Sequence, residues 1–154
     1  MDIKNGMIAL RTTDESELIR FVEFENEQDT IEYIMPYSID KHKECFAANN
    51  SVYLSICSNG KLVGFFILIH EGESVEFRRV VITKTARGIG QRAILKMHEY
   101  CADKLGASKI WLDVFKHNKR GRHVYSKLGY DVIDCRDHEK GKLIIMQKGI
   151  QQTN

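Results

Sequence analysis

The sequence has little of what would place it in a membrane or outside the cell. No apolar run approaches the roughly 18 residues of a membrane span, and the longest, 62–69, is interrupted by Gly64. The first residues lack the basic and apolar blocks of a secretion signal. The cysteines are widely spaced and form no C-x-x-C pair, which favours reduced thiols over a disulfide frame or a zinc site. We therefore expect a cytoplasmic protein that holds no metal.

The small charge imbalance excludes further classes of partner. Charged residues make up 29% of the chain and the net charge is +2, so no overall field draws the protein to nucleic acid or to a membrane. The 154 residues are 43% hydrophobic, which is enough for one core and unlike a chain with two. There is no internal repeat and no low-complexity linker. We predict a single domain over residues 1–154, with its core between about 7 and 148.

The stretch from Val75 to Leu105 predicts a strand, a glycine turn and a helix in succession. Apolar side chains, mostly branched or aromatic, run from 75 to 82, as in a strand. A polar turn then leads to Gly88-Ile89-Gly90, after which apolar residues recur every three or four positions, as on one face of a helix. This order presents backbone N–H groups at the positive end of a helix.

Residues 87–92 are therefore predicted to form a phosphate cradle, because glycine leaves room for an anion to reach the amides. A plain tight turn explains the glycine triplet equally well. A P-loop would need Gly-Lys followed by Ser or Thr, and Gly90-Gln91-Arg92 does not supply it. A dinucleotide fingerprint would lie early in the chain, whereas this segment follows three candidate strands.

The remaining pattern predicts a mixed sheet. Asn59-Gly60 joins two apolar runs, 51–57 and 61–70, as in a β-hairpin, and a first strand lies near 8–12. The strand at 108–115 follows the central helix, and such a crossover makes the two strands parallel. A short helix at 117–128, closed by Gly129, and strands at 130–133 and 142–146 complete the chain. We predict an α/β (α+β) fold with a mostly antiparallel sheet of about six to seven strands and helices on both faces.

Two helices are also predicted in the first third of the chain, near 14–24 and at 41–48. The first has Asp14 or Thr13 as N-cap and Glu17 placed for a capping box. The acidic run that follows is most simply its solvated side, although it could attract a cationic substrate; it comprises Glu23, Glu25, Glu27 and Asp29. Residues 25–50 have the mixed character of a binding-site wall, with Tyr33, Met35 and Tyr37 lining a substrate channel or filling the core.

Two segments of the sequence resemble motifs of the GNAT superfamily, the acyl-CoA-dependent N-acetyltransferases. The first is R-V-V-I-x4-R-G-I-G-Q-x2-I at 79–94, and the second is W-L-D-V-x3-N-x6-Y-x3-G-Y at 111–130. The preceding meander and the final strand pair agree with that family, so the resemblance covers nearly the whole chain. Thr85 stands where the family often has Gln or Arg, and Gly121 stands where an alanine is usual.

The resemblance implies a binding site for acetyl-CoA. The pyrophosphate would lie on the amides of the cradle, which comprises Arg87, Gly88, Ile89, Gly90, Gln91 and Arg92. The pantetheine arm would pair with the backbone of Val81, Ile82 and Thr83, where the central strand and the next one splay apart in the family. Asn118 would bind the arm, and Tyr125 would stand near the sulfur. The implied fold is a single GNAT-like domain with a splayed parallel pair.

The implied reaction needs a base, because an amine with a pKa of about 10.4 must lose a proton before it attacks. Glu76 is our choice, since family members often carry a glutamate in the central strand, and Asp113 is the alternative. Alternation places Glu76 with Val80 and Ile82 on one face only if no bulge intervenes. A plain ion pair of Glu76 with Arg78 or Arg79 stays open. Tyr125 is the candidate to protonate or stabilise the leaving thiolate, with ordinary core packing as its alternative.

Three functions follow in order of preference. The first is an N-acetyltransferase acting on an amine of a small molecule or protein, the second is a non-catalytic CoA-binding regulatory module, and the third is an RNA-associated protein with a basic surface. The basic cluster that surrounds Asn118 could meet the 3′-phosphate of CoA, or be solvated, or touch RNA; its members are Lys116, His117, Lys119, Arg120, Arg122 and His123. The long helix faces are compatible with a homodimer.

Overall fold

A seven-stranded sheet forms the centre of the protein in the computed structural model, which describes residues 7–27, 34–86 and 88–153. Its strands are β1 (Ile8–Thr12), β2 (Ser51–Ser58), β3 (Lys61–Glu71), β4 (Ser74–Ile82), β5 (Lys109–Phe115), β6 (Asp131–His138) and β7 (Gly141–Gly149). The helices are α1 (Leu18–Glu25), α2 (Ile39–Ala47), α3 (Gly90–Asp103) and α4 (Lys119–Lys127). Short 3₁₀ turns at Glu15–Glu17 and Lys84–Ala86 precede α1 and α3.

The strand order is β1-β2-β3-β4-β5-β7-β6, and β4 with β5 is the one parallel pair of this sheet. The predicted mixed fold with a parallel pair is confirmed. The predicted hairpin is confirmed too, since Asn59 and Gly60 both adopt the left-handed conformation, with φ of 52° and 82°, that a two-residue turn requires. The predicted capping box is present, with Asp14 and Glu17 as its members. No helix in the described part of the chain is long and apolar enough to cross a membrane.

Alternating side chains of the sheet build one core on each face. On one face, α3 packs through residues such as Ile89, Ala93 and Met97 against strand residues including Phe66 and Phe77. On the other, α1 packs through Leu18, Phe21 and Phe24 against Tyr53, Phe65, Ile67 and Val81. The rings of Phe21 and Phe65 stack with centroids 4.1 Å apart. Thus β4 is covered by helices on both sides, which is why its C-terminal end, residues 80–82, is continuously apolar.

The parallel pair is joined over only three residues of each strand. Ser74, Val75 and Glu76 pair with Lys109, Ile110 and Trp111, and pairing ends there although β4 runs on to Ile82 and β5 to Phe115. Beyond Glu76, β4 is paired only with β3, and beyond Trp111, β5 is paired only with β7. One edge of each strand therefore lacks a strand partner beyond these residues, and we call the space between the two unpaired edges the gap.

A bulge in β4 changes which face its side chains occupy. In the pairing with β3, Ile67 lies opposite Arg79 and Leu68 opposite Phe77, so Arg78 is an extra residue. The extra residue shifts the alternation. Glu76 consequently lies on the α1/α2 face, whereas Val80 and Ile82 pack into the core under α3. The condition set by the sequence, that no bulge intervenes, is not met.

Replacing Gly64 with alanine is expected to destabilise the protein, because a Cβ at this position of β3 would lie 2.2 Å from the carbonyl oxygen of Val81. Relief requires β3 and β4 to move apart, and such overpacking costs about 1–3 kcal/mol. Chemical denaturation of Gly64→Ala should show this loss. Gly149→Ala is the matched control, since its Cβ would meet nothing closer than the Ser108 carbonyl at 4.0 Å; equal stability of the two variants would contradict the prediction.

Candidate active site

The N-terminus of α3 presents backbone N–H groups without a side-chain cap. Ile89 occupies the N-cap position and makes no capping hydrogen bond, and the first turn contains no acidic side chain. The intrahelical ladder begins with Ala93 N–H donating to the Ile89 carbonyl at 2.9 Å. The first amides of any helix have no carbonyl one turn earlier to donate to, and the helix dipole adds a positive potential there. This is an arrangement that holds an anion.

The structure accounts differently for the two glycines of this turn. Gly88 has φ of 97°, a conformation that side chains other than glycine rarely adopt. Gly90 is helical, and a Cβ there would meet only the Ile82 Cδ1 at 3.6 Å, an ordinary contact. Nothing in the described protein therefore requires glycine at 90. The missing side chain leaves space on the outer side of the helix end, which suits the close approach of a diphosphate.

Of the other predicted cradle and arm residues, those that the structure describes lie at the N-terminus of α3 and at the C-terminal end of β4. Ile89 is fully buried and supports the turn from within, while Gln91 and Arg92 are half-buried in the first turn of α3. Arg87 lies outside the described residues. Val81 and Ile82 belong to the part of β4 that is unpaired on its β5 side, and the Thr83 N–H donates to the Val63 carbonyl at 2.8 Å.

Asn118 is the N-cap of α4. Its Oδ1 accepts a hydrogen bond of 2.9 Å from the Gly121 N–H. A Cβ at residue 121 would lie 2.8 Å from the Asn118 Nδ2 and 3.1 Å from its Oδ1. The glycine that departs from the usual family alanine is thus in close contact with this cap. The cap fixes the amide of Asn118 beside the gap, at the end of β5.

Tyr125 projects from α4 toward the start of the gap. Its ring meets Phe77 of β4 and Tyr130 edge-on, with centroids 5.8 and 5.9 Å apart. Tyr130 is itself fixed by a hydrogen bond of 2.8 Å to His98 of α3, and burial, followed by the charge of Lys148, lowers the pKa of His98 to about 4. Burial raises the pKa of Tyr125 to about 12, so the phenol keeps its proton at any physiological pH.

Two carboxylates lie on the opposite face of the sheet at the same point. Glu76 pairs with Trp111 across the short parallel ladder, and Asp113 follows two residues later on β5, so both side chains point to the α1/α2 face. Glu76 forms a bidentate ion pair with Arg78, at 2.9 and 3.1 Å. Partial desolvation, and then the negative charge of Glu76, raise the pKa of Asp113, with smaller opposing effects from Arg78, His138 and Arg136.

The gap thus has a phenol on one face and two carboxylates on the other. Tyr125 approaches it from the side of α3 and α4, and Glu76 with Asp113 from the side of α1 and α2. A group held in the gap can therefore accept a hydrogen bond from one side while a second molecule loses a proton on the other.

One expectation from the acidic run is wrong. Glu23 is exposed as expected, but Glu25 is completely buried, hydrogen-bonded to His42 of α2 and to Arg79 of β4. Glu27 is half-buried and accepts hydrogen bonds from the Thr83 hydroxyl and the Lys84 N–H, at 3.0 and 3.2 Å. Asp29 and Tyr33 lie outside the described residues. The burial of Glu25 could have been suspected from His42, because a histidine on the buried side of a short amphipathic helix needs a polar partner.

A second concavity of about 400 Å³ lies beside α4 and is separate from the gap, since β4 and α3 contribute no residue to it. It is lined by Lys119, Arg122, His123, Ser126, Val132 and Met146. Half of the basic cluster around Asn118 therefore faces β6 and β7. Within the described ranges no group of His, Cys, Asp or Glu side chains is placed to hold a metal ion, and all four cysteines are free thiols.

An interrupted parallel pair whose gap leads to an uncapped, glycine-bounded helix end is the arrangement that the resemblance to the acyl-CoA-dependent acyltransferases implies. The chain belongs to the acetyltransferase (GNAT) family, whose model matches residues 15–130. The protein is accordingly an acetyltransferase. This confirms the resemblance that the two sequence motifs carry.

Solved structures of other acetyltransferases share the fold. The spermidine N-acetyltransferase of Vibrio cholerae in complex with CoA and spermine is 21% identical, with a TM-score of 0.79 over 93% of this chain and 95% of that one. The ribosomal-protein-S18-alanine N-acetyltransferase of Escherichia coli is 19% identical, with a TM-score of 0.77 over 96% and 97%. The aminoglycoside acetyltransferase AAC(6')-Ib in complex with coenzyme A is 16% identical, with a TM-score of 0.78 over 93% and 95%. No curated protein sequence matches the chain.

Proposed function

We propose that the protein transfers the acetyl group of acetyl-CoA directly to a primary amine while both substrates are bound. The observation that carries this proposal is the gap between β4 and β5, which has Tyr125 on one face and Glu76 with Asp113 on the other. The structurally similar enzymes named above act on a polyamine, a protein amine and an aminoglycoside, which supports an amine as the acetyl acceptor. The cysteines need no nucleophilic role, because direct transfer forms no covalent enzyme intermediate.

Acetyl-CoA supplies an acetyl group activated as a thioester, and the protein supplies its binding and orientation. We assign the diphosphate to the amides of 87–92, and the pantetheine arm to the unpaired edge of β4 at Val81, Ile82 and Thr83, with Asn118 on the other side. The missing side-chain cap at Ile89 and the open space at Gly90 support the assignment of the diphosphate. Backbone N–H groups facing the gap can polarise a carbonyl without a charged residue.

The base is assigned to the carboxylate pair, and within it to Asp113. Arg78 donates hydrogen bonds from its Nε and Nη2 to both carboxylate oxygens of Glu76, so both oxygens are already engaged on this face. Asp113 makes no such ion pair among the described residues, and its pKa is raised by desolvation and by Glu76. Glu76 then acts mainly through its charge. The sequence-based choice of Glu76 as the base stays a prediction, and the single variants Glu76→Gln and Asp113→Asn test it.

We assign to Tyr125 the role of donating a hydrogen bond to the sulfur of the departing CoA thiolate. A thiol has a pKa of about 8.5, well below the value of about 12 to which burial raises that of Tyr125. The phenol therefore does not surrender its proton to a thiolate at equilibrium, but a hydrogen bond from its Oη stabilises the developing charge.

Replacing Tyr125 with phenylalanine is expected to lower kcat about 10- to 100-fold, the equivalent of one hydrogen bond to a charged group. The affinity for CoA should change little, because the ring that packs on Phe77 and Tyr130 is retained. Steady-state kinetics and calorimetric titration with CoA measure the two quantities. Tyr100→Phe, which removes a half-buried tyrosine hydroxyl from α3, is the control; equal kcat in both variants and the wild type would refute the role.

The proposed function itself is tested by thiol release from acetyl-CoA in the presence of a polyamine, an aminoglycoside or a peptide with an N-terminal alanine. We expect at least one amine to accelerate thiol release and to gain one acetyl group by mass spectrometry. Thermal stabilisation by CoA with no turnover of any amine would instead identify a CoA-binding regulatory module. Salt-sensitive RNA binding without CoA binding would favour the RNA-associated function.

A further inference from the structure

A buried ion network joins α1, α2 and β4 beneath the acceptor side of the gap. The Glu25 carboxylate is fully buried and is hydrogen-bonded to the His42 Nε2 and to the Arg79 guanidinium. The His42 Nδ1 is hydrogen-bonded to the Tyr53 hydroxyl at 2.8 Å. Burying a carboxylate costs free energy unless it is fully paired. Even a paired buried ion network often stabilises a fold no more than well-packed hydrophobic residues would.

Arg79 extends this network to the segment before α2. The same nitrogen that meets Glu25, Nη1, donates to the Met35 carbonyl at 3.1 Å, and the guanidinium lies 3.9 Å from the centroid of the Tyr37 ring. Arg79 is only 10% exposed. Residues 34–38 are thereby attached to β4 at its bulge, by a hydrogen bond and by a cation–π contact.

The attached segment lies next to the carboxylate pair. Tyr37 is close enough to Arg78 to influence its pKa, which the ion pair with Glu76 raises. The bulge is what places Arg78 and Arg79 together on this face, one directed to Glu76 and the other to Glu25 and Tyr37. The side chains at 34–38 therefore border the face on which the second substrate is expected.

We propose that Arg79, held in place by Glu25, is a positioning residue that fixes residues 34–38 as a wall of the acceptor site. This inference rests on the proposed function, because it assigns the acceptor to the α1/α2 face. Arg79 touches neither the carboxylates assigned to proton transfer nor the cradle, so its effect reaches the reaction through Met35 and Tyr37. Arginine is needed because a lysine ammonium offers charge to Glu25 but lacks the planar group that lies over Tyr37.

Two variants separate positioning from stability. Arg79→Lys keeps a positive charge beside Glu25, and Tyr37→Leu leaves the whole buried network in place, so each removes the ring contact without exposing an unpaired carboxylate. Arg11→Lys is the matched control, since Arg11 also pairs with a glutamate, here Glu17 through two hydrogen bonds of 2.6 and 2.7 Å, but on the far edge strand β1.

The test combines hydrogen exchange with kinetics on the amine that the wild type acetylates best. We expect the amides of Lys41 and His42, which donate to Ser38 at the end of this segment, to exchange about tenfold faster in Arg79→Lys and Tyr37→Leu, and the KM for the amine to rise about tenfold, as for one lost contact of this kind. The Kd for CoA, the exchange of α3 and the behaviour of Arg11→Lys should match the wild type.

Unchanged exchange of the Lys41 and His42 amides in both variants would overturn the inference, whatever the amine. Faster exchange with an unchanged KM would also overturn it, by showing that the network only stabilises the fold. A wild-type protein that binds CoA but acetylates no amine overturns the proposed function, and with it the acceptor role of Arg79. The exchange measurement would still show whether Arg79 orders the segment, so the two failures are distinguishable.

Discussion

Replacing Gly90 with aspartate is expected to abolish CoA binding and to leave the protein folded. The new carboxylate would occupy the outer side of the first turn of α3, where the amides lack a side-chain cap. An acidic side chain at a helix N-terminus stabilises the helix. The introduced carboxylate would therefore interact with the amides at the N-terminus of α3 in place of the ligand, and its negative charge would repel a diphosphate. Loss of two hydrogen bonds to a charged group, about 1.5–3 kcal/mol each, corresponds to an affinity lowered about 100-fold or more.

Two further variants divide this effect into charge and bulk. Gly90→Asn adds a side chain of the same shape without charge, and Gly90→Ala adds only a Cβ that the protein accommodates at 3.6 Å from the Ile82 Cδ1. Alanine in place of glycine favours a helix by about 1 kcal/mol. We therefore expect Gly90→Ala to melt no lower than the wild type while binding CoA more weakly, with Gly90→Asn between it and the aspartate variant.

Thermal shift and calorimetric titration with CoA measure both quantities for each variant. A raised or unchanged melting temperature together with lost binding distinguishes a glycine kept for the ligand from one kept for the fold. Unchanged CoA affinity in Gly90→Asp, with native stability, would mean that the diphosphate does not lie on these amides.

The glycine turn before α3 could be predicted from sequence because its physical cause is local. Gly88 supplies the left-handed backbone conformation and Gly90 the absence of a side chain, within a few residues of the end of the strand. That this turn binds a diphosphate stays a prediction. The parallel pair was predictable for a similar reason, since a helical crossover returns the chain in the same direction. The gap within that pair was not visible in the residues of either strand. It was expected only from the resemblance, and the pairing that ends at Glu76 and Trp111 shows it.

Other features depend on contacts between distant residues and had no local signal. The bulge at Arg78 arises from the pairing of β4 with β3, and it moves Glu76 to the face of Asp113 rather than that of Val80. Glu25 ends a helix in which the other acidic residue, Glu23, is exposed, and only the partners of Glu25 on α2 and β4 explain its burial. The predicted strand at 130–133 continues to His138, because backbone pairing with β7 extends an edge strand whose exposed, charged side chains carry no hydrophobic alternation.

Replacing Asp113 with asparagine is expected to lower kcat about 100-fold or more, the contribution of a positioned general base. Asparagine keeps the size of the side chain but cannot accept the proton of an amine. The stability of the variant at neutral pH should equal or exceed that of the wild type. The pKa of Asp113 is raised in the folded protein, mainly by desolvation, so its contribution to stability is present at acid pH and is lost as the pH rises through that pKa. Removing the ionised group removes this cost.

The pH dependence identifies which carboxylate is the base. In the wild type, kcat/KM should fall as the pH drops through the raised pKa of Asp113, because only the ionised form accepts a proton. Glu76→Gln removes the negative charge that helps to raise the pKa of Asp113 and releases Arg78, which lowers it. This variant should therefore remain active with its acid limb moved to lower pH.

The opposite pattern would identify Glu76. If Glu76 is the base, Glu76→Gln loses turnover, and Asp113→Asn keeps it with a displaced acid limb. If both single variants retain full turnover and an unmoved pH profile, neither carboxylate accepts the proton. Asp137→Asn is the matched control on the exposed edge strand, where Asp137 pairs with Lys142 at 2.6 Å. It should change neither rate nor pH profile, because only carboxylates that face the gap can reach an amine held against it.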